Sequence, residues 1–245
     1  MVSRPVTDME AEIETGLERL QERVVSCRRC PRLIRHISAV ARRKAPRYRD
    51  WEYWGKPLPS FGDPHAHLLI IGLAPAAHGG NRTGRMFTGD ASGDWLIKAL
   101  HETGFANQPQ SISLNDGLRL RSAYITAIVR CAPPKNKPTK KEISNCSEYL
   151  AEELGLLKDV SVVLTLGRIA FDNYLRNIET ERGRRPGFRH GSMYRFGEKT
   201  PLLVASYHPS RQNTQTGRLR WNMWLKVFEN VRKILDSALV NQHSG

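Results

Sequence analysis

The chain has 245 residues, 40% hydrophobic and 25% charged, and its 38 Lys and Arg against 24 Asp and Glu give a formal net charge of +14. The length suits one large domain or two small ones with a substantial core, and the composition is that of an ordinary globular protein, which excludes disordered and fibrous classes. So large a positive excess points to a polyanionic partner, nucleic acid or an acidic membrane surface, while no apolar run approaches the roughly 18–20 residues of a membrane span.

The start, MVSRPVTDMEAEIE, is polar and acidic and does not read as a signal peptide. A cytoplasmic protein is therefore expected, in a compartment where disulfides are rare. Residues 9–25 have helical apolar spacing with acids first, as the helix dipole favours. Cys27 and Cys30 follow, and Pro31 opens a second, basic helix to about residue 44. Tyr48 to Pro59 is aromatic and proline-marked, an ordered loop. HLLIIG (67–72) predicts a buried strand, GDWLIKALHE (93–102) a helix stopped by Gly104, and AYITAIVRC (123–131) a second strand. Pro138 and Thr139 start a helix to about Lys158, SVVLTLG (161–167) is a third strand, and a helix runs from Arg168 to Asn177. The basic segment ERGRRPGFRHGSMYRFG leads to a fourth strand, PLLVASYH (201–208), and an amphipathic helix at about 218–239 closes the chain.

Strands that alternate with helices, each a nearly continuous apolar run, imply a parallel sheet covered on both faces. The fold expected is an α/β three-layer sandwich around a central four-stranded parallel sheet, as one domain over residues 1–245 with the helical N-terminal part packed on it. Ligands of such sheets sit outside the carboxyl ends of the strands. GLAPAAHGG, APPKNKP and HPSRQNT all leave from that rim, and their convergence is more informative than any one loop.

The cysteines fall as Cys27-x2-Cys30 and Cys131-x14-Cys146. A turn such as Cys27-Arg-Arg-Cys30 can share one metal between two thiolates, and folding back could add the other pair. Four thiolates fit tetrahedral zinc or an iron–sulfur cluster, and the spacing does not separate them. Read alone, Cys131 and Cys146 are also compatible with ordinary buried cysteines. His36 and His101 are further donors in principle only.

On the rim, His208 follows a buried strand and precedes a proline that fixes the turn. A histidine there can donate to a developing anion or act as acid or base. Asn213, Arg211, Arg218 and Arg220 suit a phosphate backbone or a base edge. Lys135, Lys137, Lys140 and Lys141 read as phosphate contacts or a solvated charged face, and Asn136 between them is placed to position a water or a base. Phe87 offers a flat stacking face, Asp90 is the acid three residues later, and glycines 79, 80, 84 and 89 permit close approach of a ligand. Asp94 is the competing carboxylate, better read as a dipole-favoured helix residue. There is no Gly-Lys-Ser/Thr, which argues against a nucleotide-phosphate loop.

GLAPAAHGGNRTGRMFTGDASGDWL, YITAIVRCAPPKNKPT and YHPSRQNTQTGRL together resemble the uracil-DNA glycosylase superfamily, and most closely its family 5, the type B enzymes. The cysteine pattern is similar to the cluster signature of families 4 and 5. The resemblance spans about residues 25–225. It implies a 4Fe–4S cluster on Cys27, Cys30, Cys131 and Cys146, at one side of the sheet, and excision of uracil and related damaged bases from DNA. Phe87 would stack on the flipped base, Asp90 would activate a water that Asn136 helps hold, and His208 would stabilise the departing base. Gly72, Ala74 and Ala127 would line the pocket, and Asn213 would lie on the DNA-facing loop. Arg82, Lys135, Lys137, Arg211 and Arg218 would meet DNA. Better-known families carry an Asn or Asp in the first motif, where Gly72-Leu-Ala-Pro-Ala-Ala77 is apolar, and an Asn where Ala127 stands; both departures are usual in family 5. Without a base-reading Asn, a broad substrate range including hypoxanthine is expected.

The expected function is thus a monomeric, monofunctional glycosylase of damaged DNA that uses water. The alternative is a non-catalytic iron–sulfur nucleic-acid-binding module.

Overall fold

The computed structural model describes residues 6–178, 186–198 and 200–242. The ERGRR part of the basic segment, residues 181–185, lies outside the described residues. In chain order the elements are α1 (Val6–Ser26), α2 (Pro31–Arg43), β1 (Phe61–Gly62), β2 (Leu68–Gly72), α3 (Gly80–Thr83), α4 (Ala91–Glu102), β3 (Ala123–Ala127), α5 (Lys140–Leu156), β4 (Val162–Leu166), α6 (Arg168–Tyr174), β5 (Met193–Tyr194), β6 (Leu202–Ser206), α7 (Arg211–Gln215) and α8 (Trp221–Gln242). Tight 3-10 turns occur at Pro46–Tyr48 and Pro134–Asn136.

The sheet has the order β1-β3-β2-β4-β6-β5. Its inner strands β3, β2, β4 and β6 pair in parallel, while β1 and β5 pair antiparallel at the edges. The expectation of a four-stranded parallel sheet is corrected here: among the described residues the sheet is six-stranded and mixed. Each edge strand is two residues long. Such short ribbons satisfy the outer backbone groups of β3 and β6 while leaving little edge exposed, and they are too short to show a period in the sequence.

The inner strands are buried on both faces, as continuous apolar runs require. Their side chains alternate between two cores. Leu69, Ile71, Val163 and Leu203 face the layer of α1, α2, α5 and α6, with Leu20, Leu33, Leu150 and Phe171. Leu68, Ile70, Leu164 and Val204 face α4 and α8, with Leu96, Trp224 and Phe228. Helices therefore cover both faces of the sheet.

Register fixes the functional rim. Gly72 pairs with Ala127 and Leu166 with Ser206, so four strands end level with one another. The second strand is shorter than expected, ending at Ala127, but the chain stays beside β2: Ile128 N donates to Gly72 O at 3.0 Å and Val129 N to Leu73 O at 2.9 Å. Below the rim, Glu153 of α5 is fully buried and accepts from Arg130 Nη2 at 2.5 Å, Thr126 Oγ1 at 2.6 Å and Gln21 Nε2 at 3.1 Å. That network joins α1, β3 and α5. Removing one partner of such a buried pair costs about 3–5 kcal/mol, so the junction is held firmly.

Candidate active site

β2 delivers its loop to the rim, and α3 turns it back toward α4. Asp90 is the N-cap of α4: its Oδ1 accepts from Ser92 N and Gly93 N, each at 3.0 Å. A cap of this kind satisfies donors the helix cannot satisfy itself. It also fixes the carboxylate, because Oδ2 is left to point the other way. There it lies over Gly79, where a Cβ would stand 1.8 Å from Oδ2. Burial raises the Asp90 carboxyl above the usual range; the Gly93 and Ser92 amides pull it back, Asp94 adds to the rise, and Arg82 opposes it. Asp94 is exposed in the first turn of α4, where the helix dipole accounts for it.

Phe87 is half-buried with φ +51°, a left-handed conformation that costs a non-glycine residue energy and is common at functional sites. Two glycines make room for it. A Cβ at Gly93 would meet Phe87 O at 2.2 Å, and one at Gly72 would press the Phe87 ring at 3.1 Å. The ring faces His208 across the rim, with centroids 6.0 Å apart and planes tilted by 34°. Burial pushes the His208 imidazole down to about 4, so it is neutral at pH 7. Asn213 does not simply line a DNA-facing loop: its Nδ2 donates to His208 O at 2.8 Å and holds the turn that carries the histidine. Ser210 caps α7 in the same turn.

Ala127 is buried at the end of β3 and Ala74 packs partly buried against the core. Asn136 is exposed on the 3-10 turn beyond β3, and no hydrogen bond among the described residues joins it to Asp90 or His208. Lys135 and Asn136 have φ +54° and +55°, consecutive left-handed residues in a loop stiffened by Pro133 and Pro134. Lys135, Lys137, Arg211 and Arg218 are exposed, as phosphate contacts need to be, and Arg218 lies over the Tyr207 ring with Cζ 4.6 Å from its centroid. Arg82 is different. It is 3% exposed, inside the loop, and is not a surface cation available to DNA.

The chain matches the family model described as the uracil DNA glycosylase superfamily over residues 59–232. It is 48% identical over 227 residues to the type-5 uracil-DNA glycosylase of Thermus thermophilus, covering 93% of this chain and 98% of the relative. It is 44% identical to the type-5 uracil-DNA glycosylase of Mycobacterium leprae, covering 89% and 96%. A type-4 uracil-DNA glycosylase of Sulfurisphaera tokodaii is 26% identical, covering 80% and 74%.

This chain belongs to the type-5 branch of the uracil DNA glycosylase superfamily.

Within this type-5 chain several residues shape the rim that no motif singled out. Gly167 ends β4 with φ +95°, and a Cβ there would reach His208 Cβ at 3.6 Å. It adds a fourth strand end to the three that carry motifs; the apolar run SVVLTLG ending in glycine was the signal available. His190 stacks on Tyr207 with centroids 5.0 Å apart, and its Nδ1 accepts from Tyr207 N at 3.3 Å, fixing the residue before His208. Its sequence neighbourhood, basic and glycine-rich, gives no such hint.

The four cysteines are unpaired and lie in one core cluster. Three ion pairs, Arg23–Glu152, Arg29–Glu148 and Arg32–Glu142, run along α5 on either side of Cys146. Asn145 Nδ2 lies 3.4 Å from Cys30 Sγ. Cys131 is raised by burial and then by the charges of Cys146, Cys27 and Cys30, and Cys146 is pushed up to about 11, chiefly by burial. Three buried thiols and the partly buried Cys27, gathered in one cluster, are donors of the kind a thiolate-binding group would take. Among the described residues, no group of three or more His, Cys, Asp and Glu is arranged to hold a single metal ion.

Proposed function

We propose that the protein hydrolyses the N-glycosidic bond of uracil in DNA, the first step of base excision repair. The observation that carries this reading is the meeting of Phe87, His208 and the capped Asp90 on one rim, in a chain whose type-5 relatives match it nearly end to end. The target base leaves the stack, at a cost of a few kcal/mol, and enters the pocket. Phe87 stacks on it, worth roughly 1–3 kcal/mol. As the bond breaks, the sugar gains positive charge and the base negative charge. Asp90 faces the first change and accepts a proton from the attacking water. His208, neutral at pH 7, faces the second by donating an N–H to the departing base. Asn136, on its stiff turn, holds the water or the nucleotide once DNA closes over the rim. The products are free uracil and an abasic site.

The exposed Lys135, Lys137, Arg211 and Arg218 contact phosphates, consistent with the net charge of +14. The apolar Ala74 and the buried Ala127 leave the base edge unread, which favours a wider range that includes hypoxanthine. Cys27, Cys30, Cys131 and Cys146 hold a 4Fe–4S cluster, with zinc the less favoured occupant. When bound, the cluster supplies a structural cross-link between the Cys27–Cys30 turn, the end of β3 and α5. The enzyme works as a monomer in the cytoplasm.

An oligonucleotide with a single uracil tests the activity. Incubation followed by alkali should break the strand at that position, and Asp90→Ala should abolish breakage while retaining binding. Binding without breakage by the wild type would support the non-catalytic module instead.

A further inference from the structure

We propose that Arg82 is a positioning residue for Asp90, a buried guanidinium lodged in the corner of Tyr48 and Trp51 that ties His78, the neighbour of the glycine Asp90 overlies, to Gly89, the residue before Asp90. The inference rests on the reading of Asp90 as the reacting carboxylate. The guanidinium Cζ is 3.9 Å from the Tyr48 ring centroid and 4.1 Å from that of Trp51, and the two ring planes stand at 72° to each other, so Arg82 sits in the corner made by two aromatic rings. Its Nε donates to His78 O at 2.8 Å and its Nη2 to Gly89 O at 2.9 Å. Its backbone N donates to Gly79 O at 2.9 Å. The side chain thus joins His78, next to the Gly79 that Asp90 Oδ2 overlies, to Gly89, which precedes Asp90 in the chain, while the backbone bond to Gly79 does not depend on the side chain.

The fit is close enough to exclude side chains. A Cβ at Gly89 would stand 2.2 Å from Arg82 Nη2, and Gly89 has φ +71°. Gly89 N in turn donates to Ser111 O at 2.8 Å, which anchors the far side of the loop. Nη1 of Arg82 is buried with no hydrogen-bond partner among the described residues. A buried cation with an unused donor is costly unless something repays it. The stacking and the nearby carboxylate do so. The charged groups that act on Asp90 are Arg82 from α3 and Asp94 from its own helix; Arg82 favours the ionised carboxylate and Asp94 disfavours it. A lysine could supply the charge, but not two donors at fixed angles in the corner of two rings. Tyr48 and Trp51 come from the N-terminal aromatic loop, so that loop becomes part of the catalytic scaffold.

The test combines Arg82→Met and Arg82→Lys with uracil excision measured against pH, and with melting curves. For Arg82→Met we expect kcat about 100-fold lower with little change in KM, the scale of a misplacement near 1 Å, and an acid limb moved to higher pH. Arg82→Lys should restore the acid limb but only part of the rate. A wild-type kcat and acid limb in Arg82→Met, with only a lower melting temperature, would overturn the proposal. So would a loss confined to KM, which would make Arg82 a DNA contact. If the wild type leaves uracil-containing DNA intact, the assigned activity fails, and a titration of 13C-labelled aspartate still decides the Arg82 question. There the Asp90 signal, identified with Asp90→Asn, should titrate higher in Arg82→Met; an unchanged midpoint overturns the proposal.

Discussion

Asp90 holds two positions that pull against each other. As N-cap of α4 it stabilises the helix, and as a buried carboxylate it costs stability whenever it is ionised. Asparagine caps helices as well as aspartate does, so Asp90→Asn separates the two. Activity should fall by about 10²–10⁴-fold, the usual worth of a general base. Stability should rise. Burial raises the folded-state pKa above the unfolded value of about 3.9. A raised carboxyl contributes stability below its unfolded pKa and loses it as pH climbs through the folded pKa. The variant lacks that loss, so its advantage should be absent near pH 4 and grow toward pH 8. Melting temperatures of the two proteins across that range check this, and an equal or lower value for the variant at pH 8 would count against Asp90 as a strained catalytic group.

At the scale of elements, the β2–α4 connection is a set of close approaches, and its glycines are there for packing as much as for a ligand. Gly79 is the sharpest case. An added Cβ there would stand 1.8 Å from Asp90 Oδ2. Gly79→Ala should therefore swing the carboxylate away, lowering kcat by about 100-fold while β2 and α4 remain folded. Unchanged kcat in a folded variant would show that Oδ2 is not the reacting oxygen. The same connection shows what was legible in the sequence. The apolar runs placed β2, β3, β4 and β6 and brought three motif-bearing loops to one rim, because buried parallel strands carry their signal locally. Arg82 read as a DNA contact because a cation in a glycine-rich loop usually is one. Its burial depends on Tyr48 and Trp51, more than thirty positions away, and no local pattern encodes that meeting. Asn213 likewise stands in a motif legible in the sequence, but its bond to the His208 carbonyl depends on the shape of the turn. The two-residue strands β1 and β5 are set by the sheet edges they cover, not by their own residues.

For the molecule as a whole, the question is what holds α1 and α2 against α5. The three ion pairs there are partly exposed, and exposed pairs contribute about 0–1 kcal/mol each and weaken with salt. The stronger tie we propose is a cluster on Cys27, Cys30, Cys131 and Cys146, which would join both helices to the chain just beyond β3 and so to the loop bearing Asn136. If these thiols hold a 4Fe–4S cluster, the purified protein is brown, and Cys27→Ser with Cys30→Ser is colourless. Loss of the cross-link should lower the melting temperature by about 10 °C or more, since each kcal/mol shifts a chain of this size by roughly 2–4 °C and metal binding is coupled to folding. Moderate salt, which weakens only the ion pairs, should move it far less. The double variant should also cleave uracil-containing DNA more slowly, because the β3 end carries the Asn136 turn. A colourless, zinc-containing wild type would replace the cluster with a metal ion, and a double variant that melts and cleaves like the wild type would remove the thiols from the scaffold altogether.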